Sequence, residues 1–101
     1  MATVSKALFR GAATTTVGTT LYTVPADTTT VVTSIVITNT AASAGTFTLG
    51  FNDTSLATLV TIGSYDSTVI DLKQVLSATQ TITGGASATT INFHIAGVEV
   101  S

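Results

Sequence analysis

The stretch that decides the fold runs from residue 30 to residue 51: TVVTSIVITN at 30–39, a link of small residues, then TFTLGF at 46–51. In its first half Val31, Thr33, Ile35 and Ile37 fall on one face of an extended chain. Val32, Ser34, Val36 and Thr38 fall on the other, because side chains alternate across a strand with period two. With apolar residues on both faces, this segment reads as a central strand covered on both sides. The second half is cleaner: Phe47, Leu49 and Phe51 point one way, Thr46, Thr48 and Gly50 the other. Residues 41–45 join them as a plausible hairpin connection.

Working outward, the same alternation recurs. Asn52, Asp53, Thr54 and Ser55 form a turn, since Asn and Asp bond their own backbone and tolerate the left-handed region. Strands are expected near 56–62 and 68–72, parted by Gly63, Ser64, Tyr65 and Asp66. Val75 and Leu76 read as one helical turn or a bulge. A short strand at 79–83 precedes Gly84 and Gly85, which open the most flexible-looking loop, as far as Ala88. The last strand sets Ile91, Phe93 and Ile95 against Asn92, His94 and Ala96, bends at Gly97 and continues through Val98 and Val100. Two short strands, 7–10 and 21–24, complete the count near the start. No segment sustains a 3.6-residue period, so helix content should be near zero.

About eight strands in 101 residues predict an all-β chain. The architecture expected is an antiparallel β-sandwich, because one sheet of this size could not cover its own apolar face. Strand number favours a jelly-roll-like over an immunoglobulin-like arrangement. The core should comprise Ile35, Ile37, Phe47, Leu49, Phe51, Phe93 and Ile95. Residues 13–101 read as a single domain and residues 1–12 as an N-terminal arm.

Composition agrees with strands. The chain holds 24 threonines and 9 serines but one proline, Pro25, among frequent Val, Ile, Leu and Phe. Threonine is β-branched and suits a pleated, half-buried surface, whereas a disordered stalk would be proline-rich and poor in large apolar residues. Charged residues are only 8% of the chain, far below the roughly 25% of soluble domains. A free monomer normally needs more charge to stay apart from its neighbours. A subunit packed in an assembly does not.

Several function classes find little support. A net charge of −2 is wrong in sign for nucleic acid. No cysteine is present for a disulfide or thiolate site, and no apolar run approaches a membrane span. The start lacks the apolar region of a secretory signal, which leads us to expect synthesis in a cytoplasm. Asp27, Asp53 and Asp66 occupy predicted turns, and Asp71 is expected to pair with Lys73 on the surface. His94 is the one histidine and lies opposite the apolar side, as a surface or subunit-contact residue. Without a second imidazole it makes a poor metal site. No G-x-S-x-G elbow occurs, and Gly84-Gly85 lacks the lysine and strand–helix context of a phosphate loop. No catalytic residue, cofactor or metal is expected, and the chain does not read as an enzyme.

What remains points to contacts. Leu8 and Phe9, between Lys6 and Arg10, read either as a frayed terminus or as an arm that docks on a neighbouring subunit. Leu8, Phe9, Arg10, Tyr22, Tyr65 and His94 are the interface candidates.

LYTVP at 21–25 followed by TTVVTSIVITN at 29–39 resembles the opening of small β-sandwich proteins encoded among the virion structural genes of tailed bacteriophages. FHIAGVEV at 93–100 is similar to their C-terminal strand, and VIDL at 69–72 sits where they have a mid-chain strand. The likeness covers most of the chain and includes no catalytic motif. It implies a virion component assembled in the host cytoplasm: a capsid decoration (cement) protein that binds the assembled head. Its partners would then be the major capsid protein or other virion subunits. Such proteins commonly sit as homotrimers. The alternative it implies is a minor tail or fibre-associated protein that recognises host-surface carbohydrate, for which Tyr22 and Tyr65 are the only tyrosine platforms. A small cupin-like metal enzyme on the same sandwich would need a histidine cluster this sequence lacks. Neither nucleic acid nor membrane is an expected partner.

Overall fold

A computed structural model describes residues 3–52 and 54–101. Asp53, expected in a turn, lies outside the described residues, as do the first two residues. Eight strands form: β1 (Thr3–Ala12), β2 (Thr20–Thr23), β3 (Thr29–Asn39), β4 (Gly45–Phe51), β5 (Thr54–Ile62), β6 (Ser67–Leu76), β7 (Thr81–Ala86) and β8 (Ile91–Val100). They make two four-stranded antiparallel sheets, ordered β1-β8-β3-β6 and β2-β7-β4-β5. The pairing is nested: β1 with β8, β2 with β7, β3 with β6, β4 with β5, with β3–β8 joining the pairs of the first sheet and β4–β7 those of the second. The chain behaves as one long hairpin, closed at β4–β5 and rolled so that its two halves cover each other. Antiparallel pairing at every step lets each sheet bury one face and leave the other polar or apolar as function requires.

All seven expected core residues are buried. Leu8, Val24, Val32, Ile62, Leu76, Ile82 and Ile91 join them, and the rings of Phe47 and Phe93 meet edge to face at 6.4 Å and 76°. Each such side chain, fully removed from water, contributes about 1.5–3 kcal/mol.

The facing of β3 differs from strict alternation. Thr30, Val32, Ile35, Ile37 and Asn39 are buried, whereas Val31 is half-buried and Thr33 exposed. The ladder explains it: Val32 pairs with Gly97 and Ser34 with Ala96, so Thr33 is an extra residue that flips the facing of everything before it. Leu8 is likewise extra in β1, between Ala7 opposite Ala96 and Phe9 opposite Ile95. The two bulges therefore meet β8 at adjacent steps on either side of Ala96, that of Thr33 at Ala96–Gly97 and that of Leu8 at Ile95–Ala96. Gly97 is required there, since a Cβ would run into the Val31 carbonyl and come within 3.0 Å of the Leu8 Cδ1.

Three further expectations are corrected. Residues 3–12 of the expected arm are an edge strand, hydrogen-bonded along β8, with Leu8 in the chain's own core and Phe9 packed against it. Gly84 and Gly85 are not a flexible loop; they are buried inside β7. A Cβ on Gly84 would sit 2.8 Å from Leu49 Cδ2, and one on Gly85 would strike the backbone at Thr16 and Val17. The glycines let the segment after β1 lie flat on the sheet, where Gly84 donates to the Thr19 carbonyl and Ala86 to that of Thr14. Val75 and Leu76 make neither a helical turn nor a bulge but pair with Val31 and Thr30 in β6.

Candidate interaction surface

Among the described residues no three His, Asp or Glu side chains gather where they could hold a metal ion. His94 lies across from Arg10 on β1 and Val36 on β3. Its row continues to Val69 on β6, so no carboxylate in this row orients the imidazole for acid–base work.

A polar cluster that joins the two sheets centres on Tyr22. Its hydroxyl donates to the Glu99 carboxylate and lies 2.9 Å from Thr30 Oγ1. Lys6 reaches the other Glu99 oxygen at 3.4 Å. Burial, then the hydrogen bond to Glu99, raises the Tyr22 pKa above its ordinary value, while Thr30 pulls the other way. The arrangement satisfies polar groups at the end of the sandwich. Neither Glu99 nor Lys6 was singled out in the sequence, where nothing links positions 77 residues apart.

The surface itself carries the clearest feature. Among the described residues the exposed large apolar ones are Val4, Val17, Leu56, Leu59, Val60, Tyr65, Val69 and Val75. All but the first two lie on β5, on β6 or on the turn between them. β5 and β6 are edge strands of their sheets, and a groove lined by residues of both places the two edges side by side. Leu59, Tyr65, Val69 and Val75 are each more than 60% exposed. A groove of about 300 Å³ runs between the two edges, bounded by Ser55 and Leu56 on one side and Val75 and Leu76 on the other. Scattered exposed apolar residues are ordinary, but their concentration along two neighbouring edges marks a contact surface.

Two of these residues are also held in an unusual backbone conformation. Leu59 has φ 49° and Tyr65 φ 52°, a region costly for side chains of this kind. Leu59 sits in a β5 bulge opposite Thr48, whose Oγ1 accepts its N–H at 3.1 Å. Tyr65 is fixed by donating its N–H to the Ala41 carbonyl. Beneath the turn, the buried Asn39 donates to the Ser43 and Gly63 carbonyls and accepts from the Ala41 N–H. The turn that presents Tyr65 is thereby tied to the end of β3.

The six interface candidates do not form one patch. Leu8, Phe9 and Arg10 lie on β1, the far edge of its sheet from β6. Leu8 is buried, Phe9 half-buried and Arg10 exposed. Tyr22 is engaged at the end of the sandwich, and His94 is half-buried on the outer face of the first sheet. Tyr65 alone belongs to the apolar side. The expected Asp71–Lys73 pair does not form, and Lys6–Glu99 is the one ion pair among the described residues. The sequence reading missed Leu56, Leu59, Val60, Val69 and Val75 as surface residues. The available signal was that both strands, 56–62 and 68–72, alternate poorly for edge strands meant to meet water. No protein-family model matches the chain, and no curated protein sequence matches it.

Proposed function

We propose that this protein is a structural subunit that works with its β5–β6 side covered by other protein, and that it serves as a capsid decoration protein on a bacteriophage head. The observation that carries the reading is the gathering of exposed apolar residues on one side of a chain with only three basic and five acidic residues. Such a surface suits many modest contacts repeated at symmetry-related sites, where valency multiplies a weak individual affinity. The nested strand order supports the jelly-roll form of the sandwich over the immunoglobulin-like one. The resemblance of residues 21–39 and 93–100 to virion proteins supplies the particle. Electron cryomicroscopy of that particle tests it: density for this sandwich on the assembled head is expected, with the β5–β6 side against capsid subunits. Protein found on tails and absent from heads overturns the head assignment.

A second reading draws on Tyr65, which stands 73% exposed at the tip of the β5–β6 turn. An aromatic face so presented fits a tail-borne domain that stacks on host-surface sugar. Glycan binding that disappears in Tyr65→Ala would favour this reading over the first.

A further inference from the structure

We propose that β6 is a self-recognition edge, through which two copies of the chain pair strand to strand about a two-fold axis at Leu72. The proposal rests on the reading of the β5–β6 side as a covered surface and names one occupant for part of it, a second copy of this chain.

Comparison of the four edges singles out β6. The β2 edge is four residues long, too short to template another strand. The β1 edge is interrupted by the Leu8 bulge and carries Lys6 and Arg10, like charges along one edge. The β5 edge is broken by two register shifts. Short length, charged side chains and bulges are how sheets keep their edges from pairing. β6 is ten residues long. Its ladder with β3 shifts once, where Leu72 and Lys73 both oppose Thr33, but exposed and more covered side chains keep alternating from Ser67 to Lys73. Val69 and Asp71 lie opposite the outward Val36 and Ser34, and Val75 lies opposite Val31. By alternation Lys73 shares that outer face, and all four side chains are exposed.

The outward residues therefore read Val69, Asp71, Lys73, Val75, a pattern that is its own complement when reversed. In an antiparallel pair centred on Leu72, Val69 stands opposite Val75 of the second copy and Asp71 opposite Lys73, and each pair occurs twice by symmetry. Facing is preserved only by slips of whole two-residue steps. A slip one way sets Lys73 against Lys73, a slip the other way Asp71 against Asp71, and parallel pairing in register opposes both like pairs. One register is favoured and its neighbours are penalised. Asp71 and Lys73, which find no ion partner within the described chain, gain one in the pair. The two sheets become one continuous eight-stranded sheet, with Val31, Val36, Val69 and Val75 of each copy on a shared outer face.

Charge exchange in the full-length protein tests this by sedimentation velocity across concentration, with circular dichroism to verify folding. The wild type is expected to dimerise. Asp71→Lys and Lys73→Asp should each weaken association about ten-fold or more, since like charges then face each other. Asp71→Lys/Lys73→Asp in one chain should restore it, and so should mixing the two single variants, whose charges complement each other. A wild type that stays monomeric to about 1 mM, a trimer with no dimer, or a dimer indifferent to both exchanges overturns the pairing. If a monomeric chain still decorates heads, the pairing is overturned while the particle reading stands. If a dimer that obeys the exchange rule is taken up by no head, the pairing stands and the particle reading falls.

Discussion

The hydroxyl of Tyr22 and the carboxylate of Glu99, 77 positions apart, share a hydrogen bond that ties the short edge strand β2 of one sheet to the last strand of the other. Thr30 of β3 lies within bonding distance of the same hydroxyl and Lys6 of β1 bonds the carboxylate, so four strands meet at this end of the sandwich. With β2 only four residues long, this side-chain link supplements a short ladder.

Tyr22→Phe keeps the ring and removes the link. It should cost about 1–2 kcal/mol, the range for losing half-buried hydrogen bonds of which one is to a charged acceptor. The variant also isolates the titration of Tyr22. A phenol whose folded pKa lies above its unfolded value of about 10 adds stability that is whole below pH 10 and is lost as pH climbs through the folded value. In urea melts, the gap between wild type and variant should hold steady from about pH 7 to 9 and narrow above about pH 10. A constant gap across that range would refute the link.

Asn39 is buried and makes three hydrogen bonds to backbone groups of two turns. Asn39→Ala strands the Ala41 N–H and two carbonyls and should cost about 2–3 kcal/mol, lowering Tm by about 10–20 °C in a chain of this size. Asn39→Asp should be worse, because a buried carboxylate would face the Ser43 and Gly63 carbonyls without a proton to give them. Thermal melts of the two variants rank the cases, and Asp tolerated better than Ala would show that the amide donors do not matter.

How much of this was legible depends on the range of the interaction. Alternation in residues 46–51 and 91–96 announces two strands and their inward faces, because facing is local. Thr33 defeats that logic: its bulge exists only relative to Ala96 and Gly97 of β8, so the swap of Val32 for Val31 in the core cannot be seen from β3 alone. Gly84 and Gly85 look like a loop for the same reason. The backbone that lies against them belongs to Thr16 and Val17, and only the fold brings it there. The apolar side was half visible, as strands with too little polar residue on either face. That those strands are the neighbouring edges of two sheets is a fact of topology.

Removal of residues 1–10 separates the two meanings of the N-terminal segment. An arm would leave the sandwich folded. As an edge strand, the segment supplies the ladder along β8 and the buried side chain of Leu8. Loss of Leu8 packing alone is worth about 2–5 kcal/mol, so the truncated chain should lose its cooperative melt and expose β8 to aggregation. A shortened protein with an unchanged urea midpoint would show that β1 adds nothing to the fold.

Leu59 sets stability against contact. At φ 49° and 66% exposed, it bears backbone strain of about 1–2 kcal/mol and buries little in return. Asn tolerates that conformation and would remove the apolar surface, so Leu59→Asn should leave the urea midpoint unchanged or raise stability by up to about 1 kcal/mol. If the strained leucine is kept for what it touches in the assembly, the same variant should bind heads more weakly. The two measurements must move in opposite directions, or one must stay still while binding falls. Equal binding by Leu59→Asn and wild type would show that the strain at this bulge serves no contact.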